Sequence, residues 1–483
     1  MLRKYLHVSR ALRFRREDGR DASASDSCTV TLRGPLPRLG RHRRAAGPSA
    51  EIRRIPPRPA VGPRTIRFPH HAQETSVPLS QPPSTPAAAC DVAVVGAGIV
   101  GASCAYALAR RGLRVAVLDR GPLLSGTTGS GEGNVLVSDK GPGPELDLAL
   151  LSNALWRRLG EELQERYGGF ELEPKGGLVV TRDPAAQRSL AAFARAQAGA
   201  GVEVELVPGE RLAELEPHLA PGLASGAYYP QDAQLQPARA AAVLLRAARG
   251  LGADVRTRIP VTGVARGGDG AVRGVDTPGG RIAAGWVVNA AGAWAGDVAG
   301  LAGAPTPVAP RRGFILVTEP LPLLVRHKVY SAEYLDNVAT GDAGLQTSTV
   351  VEGTPSGPVL VGATRELVGF DRTVNVDALR ALARGAAELF PVLSAARVMR
   401  SYAGFRPFSP DHLPVIGPDP RVPGLVHAHG HEGAGIGLAA ATGELVAEAV
   451  TGARPSLDLS PFAPARFAAF DGLPAPEVHR AAV

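Results

Sequence analysis

Apolar positions along this chain fall into two rhythms, and each predicts a different kind of element. Val92 to Val95 is an unbroken apolar run, the pattern of a strand buried on both faces. It leads into Gly96-x-Gly98-x-x-Gly101, after which small and branched apolar residues recur at helical spacing up to Arg111. A second apolar run, Val115 to Leu118, ends on Asp119. A third strand is predicted at Val287-Val288, closing in Asn289 and the small-residue turn Ala290-Ala291-Gly292. Ahead of it, short alternating stretches around Gly268-Asp269-Gly270 predict hairpins. Gly424 to Ala428 predicts one more strand, followed by a glycine-rich turn and helix, GHEGAGIGLAAATGELVAE, from Gly430 to Glu448.

Between these pieces the pattern changes. RSLAAFARAQAGAGVEVELV, from Arg188, predicts a helix and then a strand, and VDALRALARGAAELFPVL, from Val376, an amphipathic helix ended by Pro391. The fold class expected is α/β with an α+β second domain. A Rossmann-like domain is assembled from discontinuous segments, and an antiparallel sheet with helices on one side is inserted into it. No tandem repeat of convincing period interrupts this.

Composition changes the picture in one place. Hydrophobic residues make up 45% and charged residues 20% of 483, which is ordinary for a soluble globular chain. No stretch reaches the ~18 uninterrupted apolar residues of a membrane span, so none is expected. The net charge of +8 suggests nucleic acid until it is divided. Residues 1–90 carry 17 Lys+Arg against 6 Asp+Glu, so the whole excess lies there and the remainder is mildly acidic. Residues 1–88, rich in Arg, Pro and Ser, read as a disordered basic extension with no secretory signal, and no nucleic-acid partner is expected. Removing them is expected to leave folding intact, and a truncated chain without a cooperative melt would overturn that. Cys28, Cys90 and Cys104 have neither metal-like spacing nor a useful pairing, which suits the cytoplasm.

The chemistry begins at the glycines. In a strand–turn–helix context, Gly96 makes the tight turn, Gly98 admits a pyrophosphate to the helix N-terminus, and Gly101 allows close helix–strand packing. Asp119 is placed to accept from adenosine ribose hydroxyls and disfavours a 2′-phosphate. The loop that follows, from Ser125 through Thr127, Thr128 and Ser130 to Asn134, suits a long phosphate–ribityl chain. Arg406 stands among Phe405, Pro407 and Phe408, where an unpaired guanidinium is costly. Its planar fork fits a carboxylate, either a ligand's or that of Asp411. His427, His429 and His431 alternate and would share a face on a strand, but a glycine precedes His431 and no ligand pattern supports them, so no metal is expected.

These motifs together resemble one family, the D-amino-acid oxidase-type FAD-dependent oxidoreductases, which includes glycine oxidase, sarcosine oxidase and amino-acid or hydroxyproline dehydrogenase subunits. The βαβ unit, the Ser125–Asn134 loop and VVNAAGAWA carry the resemblance. YAGFRPFSPDHLPVIG, from Tyr402, is similar to the family's strand bearing a substrate-binding arginine, and GHEGAGIGLAAATGELVAE to its flavin-facing helix. The resemblance spans residues 91–452. It implies an FAD-binding domain over 89–171, 237–308 and 400–460, a substrate domain over 172–236 and 309–399, and a C-terminal tail over 461–483.

Carried over to this sequence, the resemblance implies that Gly96, Gly98, Gly101 and Asp119 bind the ADP half of FAD. Thr127, Thr128 and Asn134 would line its pyrophosphate and isoalloxazine side, the strand at Val261 would meet the adenine, and Gly292 and Trp294 would turn against the cofactor. Gly433, Ala434, Gly435 and Ile436 would start the helix facing the isoalloxazine, with His431 beside the flavin. Arg406 would pair with a substrate carboxylate, and Tyr330 or Tyr334 stands about where a pocket tyrosine belongs. No cysteine follows Cys104, so the FAD is expected to be non-covalent. The activity implied is oxidation of a CH–NH bond in a small amino acid, by hydride transfer to flavin N5, giving an imine and then a 2-oxo acid. A hydroxy acid or polyol substrate, or a role as catalytic subunit with an electron-accepting partner, is the alternative.

Overall fold

A computed structural model describes residues 89–332, 335 and 344–470, all within the compact unit Gln81–Val483. Tyr334, the basic extension and the tail beyond residue 470 lie outside the described residues. Two eight-stranded sheets organise the rest.

The first sheet runs, in spatial order, Val415–Pro418, Leu425–His429, Gly280–Asn289, Cys90–Val95, Val115–Asp119, Asp254–Thr257. Its four inner pairings are parallel and its Val415–Pro418 edge is antiparallel. Strands Gly263–Arg266 and Val272–Thr277 form the expected hairpin around Gly268–Gly270 and extend Gly280–Asn289. The helix Ile99–Arg110 is buried along almost its whole length, wedged between this sheet and the helix Gly435–Thr451. The two helices approach closely because Gly443 has no side chain: a Cβ there would stand 2.7 Å from the Ser103 carbonyl carbon. A third helix, Pro144–Tyr167, braces the pair. Trp156 Nε1 donates to the Ile436 and Gly437 carbonyls at 3.0 Å, and the Ser152 hydroxyl bridges the Gly437 carbonyl and the Ala441 N–H.

The second sheet runs Val398–Phe408, Ala309–Thr318, Val359–Arg365, Gln346–Gly353, Lys328–Ser331, Gly177–Thr181, Ser225–Tyr229, Glu205–Pro208. It is antiparallel apart from one parallel pairing, Lys328–Ser331 with Gly177–Thr181. The amphipathic helix Val376–Leu389, capped by the Asn375 side chain and stopped before Pro391, buries Ala378, Leu382 and Ala386 against this sheet.

One boundary expected from the sequence is corrected here. Val398–Phe408 pairs along its length with Ala309–Thr318, Arg406 opposite Arg311 and Gly404 opposite Gly313. The arginine strand therefore belongs to the second sheet, and residue 400 falls inside it. Among the described residues, no helix is long and apolar enough to cross a membrane.

Candidate active site

Residues from both sheets line one cavity of about 510 Å³. At one end the first strand stops at Val95 and turns on Gly96, whose φ of +111° is open to glycine. A Cβ on Gly96 would lie 2.4 Å from the Ala290 carbonyl oxygen, and one on Gly101 1.9 Å from the Gly96 carbonyl oxygen. Strand, helix and the Asn289–Gly292 turn are thus in backbone contact. Asn289, fully buried, holds that turn by donating to the Ala295 carbonyl at 2.9 Å and accepting from the Ala291 N–H at 3.3 Å. Asp119 accepts the Ala97 N–H at 2.9 Å and the Gly121 N–H at 2.8 Å, bracing the glycine loop with one lone pair of each oxygen. Thr128 accepts the Ile99 N–H at 3.0 Å, which caps the helix, and Thr127 donates to the Phe405 carbonyl at 2.5 Å, tying this loop to the arginine strand.

Among the described residues, every site residue expected from the sequence lines this cavity except three. Gly101 lies beneath it as a packing contact, and Ala434 stands at the helix start, packed into the core. Tyr330 is also absent from the wall. It is fully buried with its hydroxyl on Ser138, because its strand faces the core beside Asp232. Val261 lines the cavity, but from the irregular link between Asp254–Thr257 and Gly263–Arg266 rather than from a strand. Trp294 stacks on Phe370 at 4.8 Å, with the Arg120 guanidinium 4.2 Å from its ring centroid.

At the other end stands Arg406. Its Nη1 donates to the Thr364 carbonyl at 2.8 Å. Gly313 and Gly433 make room for it: a Cβ at Gly313 would sit 2.0 Å from Nη1, and one at Gly433 3.5 Å from Nε. Asp411, the rival partner nearest in sequence, is engaged by Arg466 at 2.6 Å instead.

The histidines divide. The strand ends at His429 and Gly430 turns with φ +77°, so His431 leaves the face shared by His427 and His429. His431 Nε2 is 2.9 Å from Thr442 Oγ1, whose own proton goes to the Leu438 carbonyl, so Nε2 is the donor. Burial pushes His431 down to about 3, which keeps it neutral. His427 Nε2 is 2.9 Å from Asp419 Oδ2, and His427 Nδ1 is 3.0 Å from His429 Nε2. Burial alone would raise the Asp419 carboxyl, yet hydrogen bonds from His427 and Arg421 hold it far below the usual range. In the tautomer that turns Nε2–H to Asp419, His427 Nδ1 accepts from His429 Nε2–H, leaving His429 Nδ1 as a bare acceptor. Burial, before anything else, keeps His429 well below the ordinary imidazole range, and the neighbouring Arg466 guanidinium acts in the same direction. Among the described residues no group of three or more His, Cys, Asp or Glu is arranged to hold a metal.

Three buried polar atoms on residues lining the cavity have no hydrogen-bond partner: Glu132 Oε1, Asn134 Oδ1 and His429 Nδ1. Buried polar groups are ordinarily satisfied, so their arrangement suits a polar ligand. The glycine cradle and the helix N-terminus behind it suit that ligand's phosphates.

Comparison with known proteins decides which ligand. The family described as FAD dependent oxidoreductase, DAO, matches residues 91–449. The chain belongs to this family. It is an FAD-dependent oxidoreductase. Glycine oxidase of Geobacillus kaustophilus is 34% identical over 378 residues, covering 77% of this chain and 96% of the relative. Its crystal structure superposes with a TM-score of 0.71 at 32% identity, covering 77% and 98%. The hydrogen cyanide synthase subunit HcnC of Pseudomonas aeruginosa is 32% identical over 416 residues, covering 78% and 96%. The crystal structure of L-proline dehydrogenase from P. horikoshii has a TM-score of 0.71 at 26% identity, covering 79% and 98%.

Two cavity residues of this flavoprotein were missed by the sequence reading. Glu132 lay hidden in a glycine–hydroxyl loop that resembles solvated chain. His429 was weighed only as a metal ligand, and the relay behind it runs through His427 to Asp419, a turn residue ten positions from His429.

Proposed function

We propose that this flavoenzyme oxidises the CH–NH bond of a small amino acid, of the glycine, sarcosine, D-amino acid or hydroxyproline type, to an imine that water converts into a 2-oxo acid and an amine. The observation that carries the reading is Arg406, held by Thr364 in a cavity lined by the dinucleotide cradle. Its fork would take the substrate carboxylate and so set the α-carbon.

The residues present fit FAD. Gly96, Gly98, Thr128 and Asp119 would hold its ADP half. Asn134 Oδ1, His429 Nδ1 and the start of the helix Gly435–Thr451 would meet its other half with acceptors and N–H groups. When bound, FAD takes up the hydride of the substrate carbon. The chain's part is to orient the substrate, to exclude water through Ile315, Ile436 and Trp294, and to offer a partial positive charge where electrons arrive. Neutral His431 acts here as a hydrogen-bonding group and not as a cation.

The FAD is non-covalent in this reading, because the one described cysteine deep in the core, Cys104, has its thiol pushed up to about 12 by burial and none follows it. Acid precipitation of the yellow protein is expected to leave all flavin in the supernatant, and flavin remaining with the pellet would overturn this. Its sparse cysteines support a cytoplasmic location in this reading.

Screening small amino acids with oxygen and with an artificial dye tests the activity. Turnover of at least one carboxylated amine supports the reading, and turnover confined to hydroxy acids or polyols replaces it. The similarity to HcnC, a synthase subunit, favours a second arrangement in which electrons pass to a partner protein. Turnover with dye but not with oxygen would favour that arrangement.

A further inference from the structure

We propose that Glu132 is the base that receives the ammonium proton of the amino acid whose carboxylate Arg406 holds. The inference rests on the amino-acid reading above and adds to it the residue that delivers the substrate's amine in its neutral form.

Glu132 and Arg406 line the same cavity. Glu132 is only 7% exposed, and its Oε1 has no hydrogen-bond partner. The Lys328 ammonium stands 3.8 Å from Oε1, beyond hydrogen-bond reach. Lys328 is committed elsewhere, 2.5 Å from Glu352 Oε2. Strands Lys328–Ser331 and Gln346–Gly353 place those two residues directly opposite each other, so they form a self-compensating pair. Glu132 thus shares Lys328 with a nearer carboxylate, and its Oε1 is left without a hydrogen-bond donor. The strand Val359–Arg365 also clears space for the carboxyl: a Cβ at Gly362 would lie 2.4 Å from Glu132 Oε1. Burying an unsatisfied carboxylate is expensive, and a native fold retains it where a ligand completes it. An α-amino acid supplies a carboxylate that fits the Arg406 fork and, at Glu132 Oε1, the N–H donor that this buried oxygen lacks.

The chemistry needs that nitrogen without its extra proton, because its lone pair must form the C=N bond as hydride leaves the α-carbon. The proton passes from the substrate ammonium to Glu132 as the N–H bond breaks and a carboxyl O–H forms. The hydride and its two electrons then go to FAD, and the carboxyl proton later returns to water. The groups facing Glu132 are Lys328, Glu352, Arg406 and Tyr402, with Asn134 from its own loop. Burial raises Glu132 most. Lys328 lowers it, Glu352 raises it, and Arg406 and Asn134 lower it, with the balance above the ordinary glutamate value. A raised carboxyl is a stronger proton acceptor once ionised.

The sign follows. Below its pKa Glu132 is neutral and cannot accept, so kcat/KM is lost as pH falls through that value. Glu132→Gln keeps shape and removes the base. In the holoenzyme with a turned-over amino acid it is expected to lower kcat/KM by roughly 10²–10³-fold near neutral pH, within the usual range for general-base removal. The acid limb should vanish, leaving only the substrate's own amine titration. Glu132→Asp should retain a displaced limb. Binding of acetate, a carboxylate without an amine, read from the perturbed flavin spectrum, should not weaken in either variant.

A Glu132→Gln enzyme that keeps the wild-type acid limb overturns the proposal. So does one whose acetate affinity and flavin content fall together with turnover, since Glu132 would then be a structural support of the pocket. If the wild-type enzyme oxidises no amino acid at all, the broader reading fails as well, and the two failures are told apart by that single control.

Discussion

Arg406→Met is expected to raise KM for carboxylated amines steeply while leaving flavin content and melting temperature near those of the wild type. Methionine matches much of the arginine's length, and Gly313 and Gly433 leave ample room for it. What is lost is the fork that Thr364 orients and that Asp411, occupied by Arg466, does not neutralise. Removing one partner of a desolvated, hydrogen-bonded charge pair costs about 2–5 kcal/mol. At ~1.4 kcal/mol per tenfold, that is roughly 30- to 4,000-fold in kcat/KM. Because a bound carboxylate is held before and during the reaction, most of the loss should fall on KM. Arg406→Lys should recover only part, keeping the charge without the bidentate geometry.

The substitution has a second signature. The Arg406 charge is among those lowering Glu132, so its removal should move the acid limb of the pH profile upward. If glycine, sarcosine, D-alanine and D-hydroxyproline are all turned over by Arg406→Met with unaltered kcat/KM, the carboxylate role is wrong. A parallel loss with an amine that bears no carboxylate would also count against it.

Much of the cradle was legible in the sequence because its determinants are local. Val92 to Val95, the three glycines and Asp119 lie within one βαβ unit, and each glycine answers a steric demand that its neighbours impose. The Gly430–Glu448 stretch was legible for the same reason, though Gly433 proves to clear space for Arg406 as well as for a ligand. What escaped was set by distant pairing. The strand Val398–Phe408 crosses the boundary expected at residue 400, because its partner strand lies about ninety residues upstream and period-2 patterning does not name a partner. Glu132 reads as a surface acid until Lys328 and Glu352 arrive from some two hundred residues further on. The histidine alternation correctly put His427 and His429 on one face, but their companion is a carboxylate that makes a relay.

Gly96→Ala and Gly101→Ala are expected to yield protein with little or no bound flavin. The Gly101 Cβ would stand 1.9 Å from the Gly96 carbonyl oxygen, which is backbone and has no rotamer by which to retreat. Helix Ile99–Arg110 must then slide off the first strand, and its N-terminus leaves the position from which it would face the pyrophosphate of FAD. Gly96→Ala adds a φ of +111°, disfavoured for alanine, to a 2.4 Å approach to the Ala290 carbonyl. Overpacking of this kind costs about 1–3 kcal/mol, and a strained φ about 1–3 more. Against a total stability of about 5–15 kcal/mol the fold can survive while the cradle does not. Flavin absorbance relative to protein absorbance, together with a thermal melt, separates those two effects. Gly268→Ala serves as the control, since a Cβ there meets nothing within 4 Å. Full flavin occupancy in both cradle variants would mean that close approach at Gly96 and Gly101 is dispensable, and that the dinucleotide is held by the side chains of Asp119 and Thr128 alone.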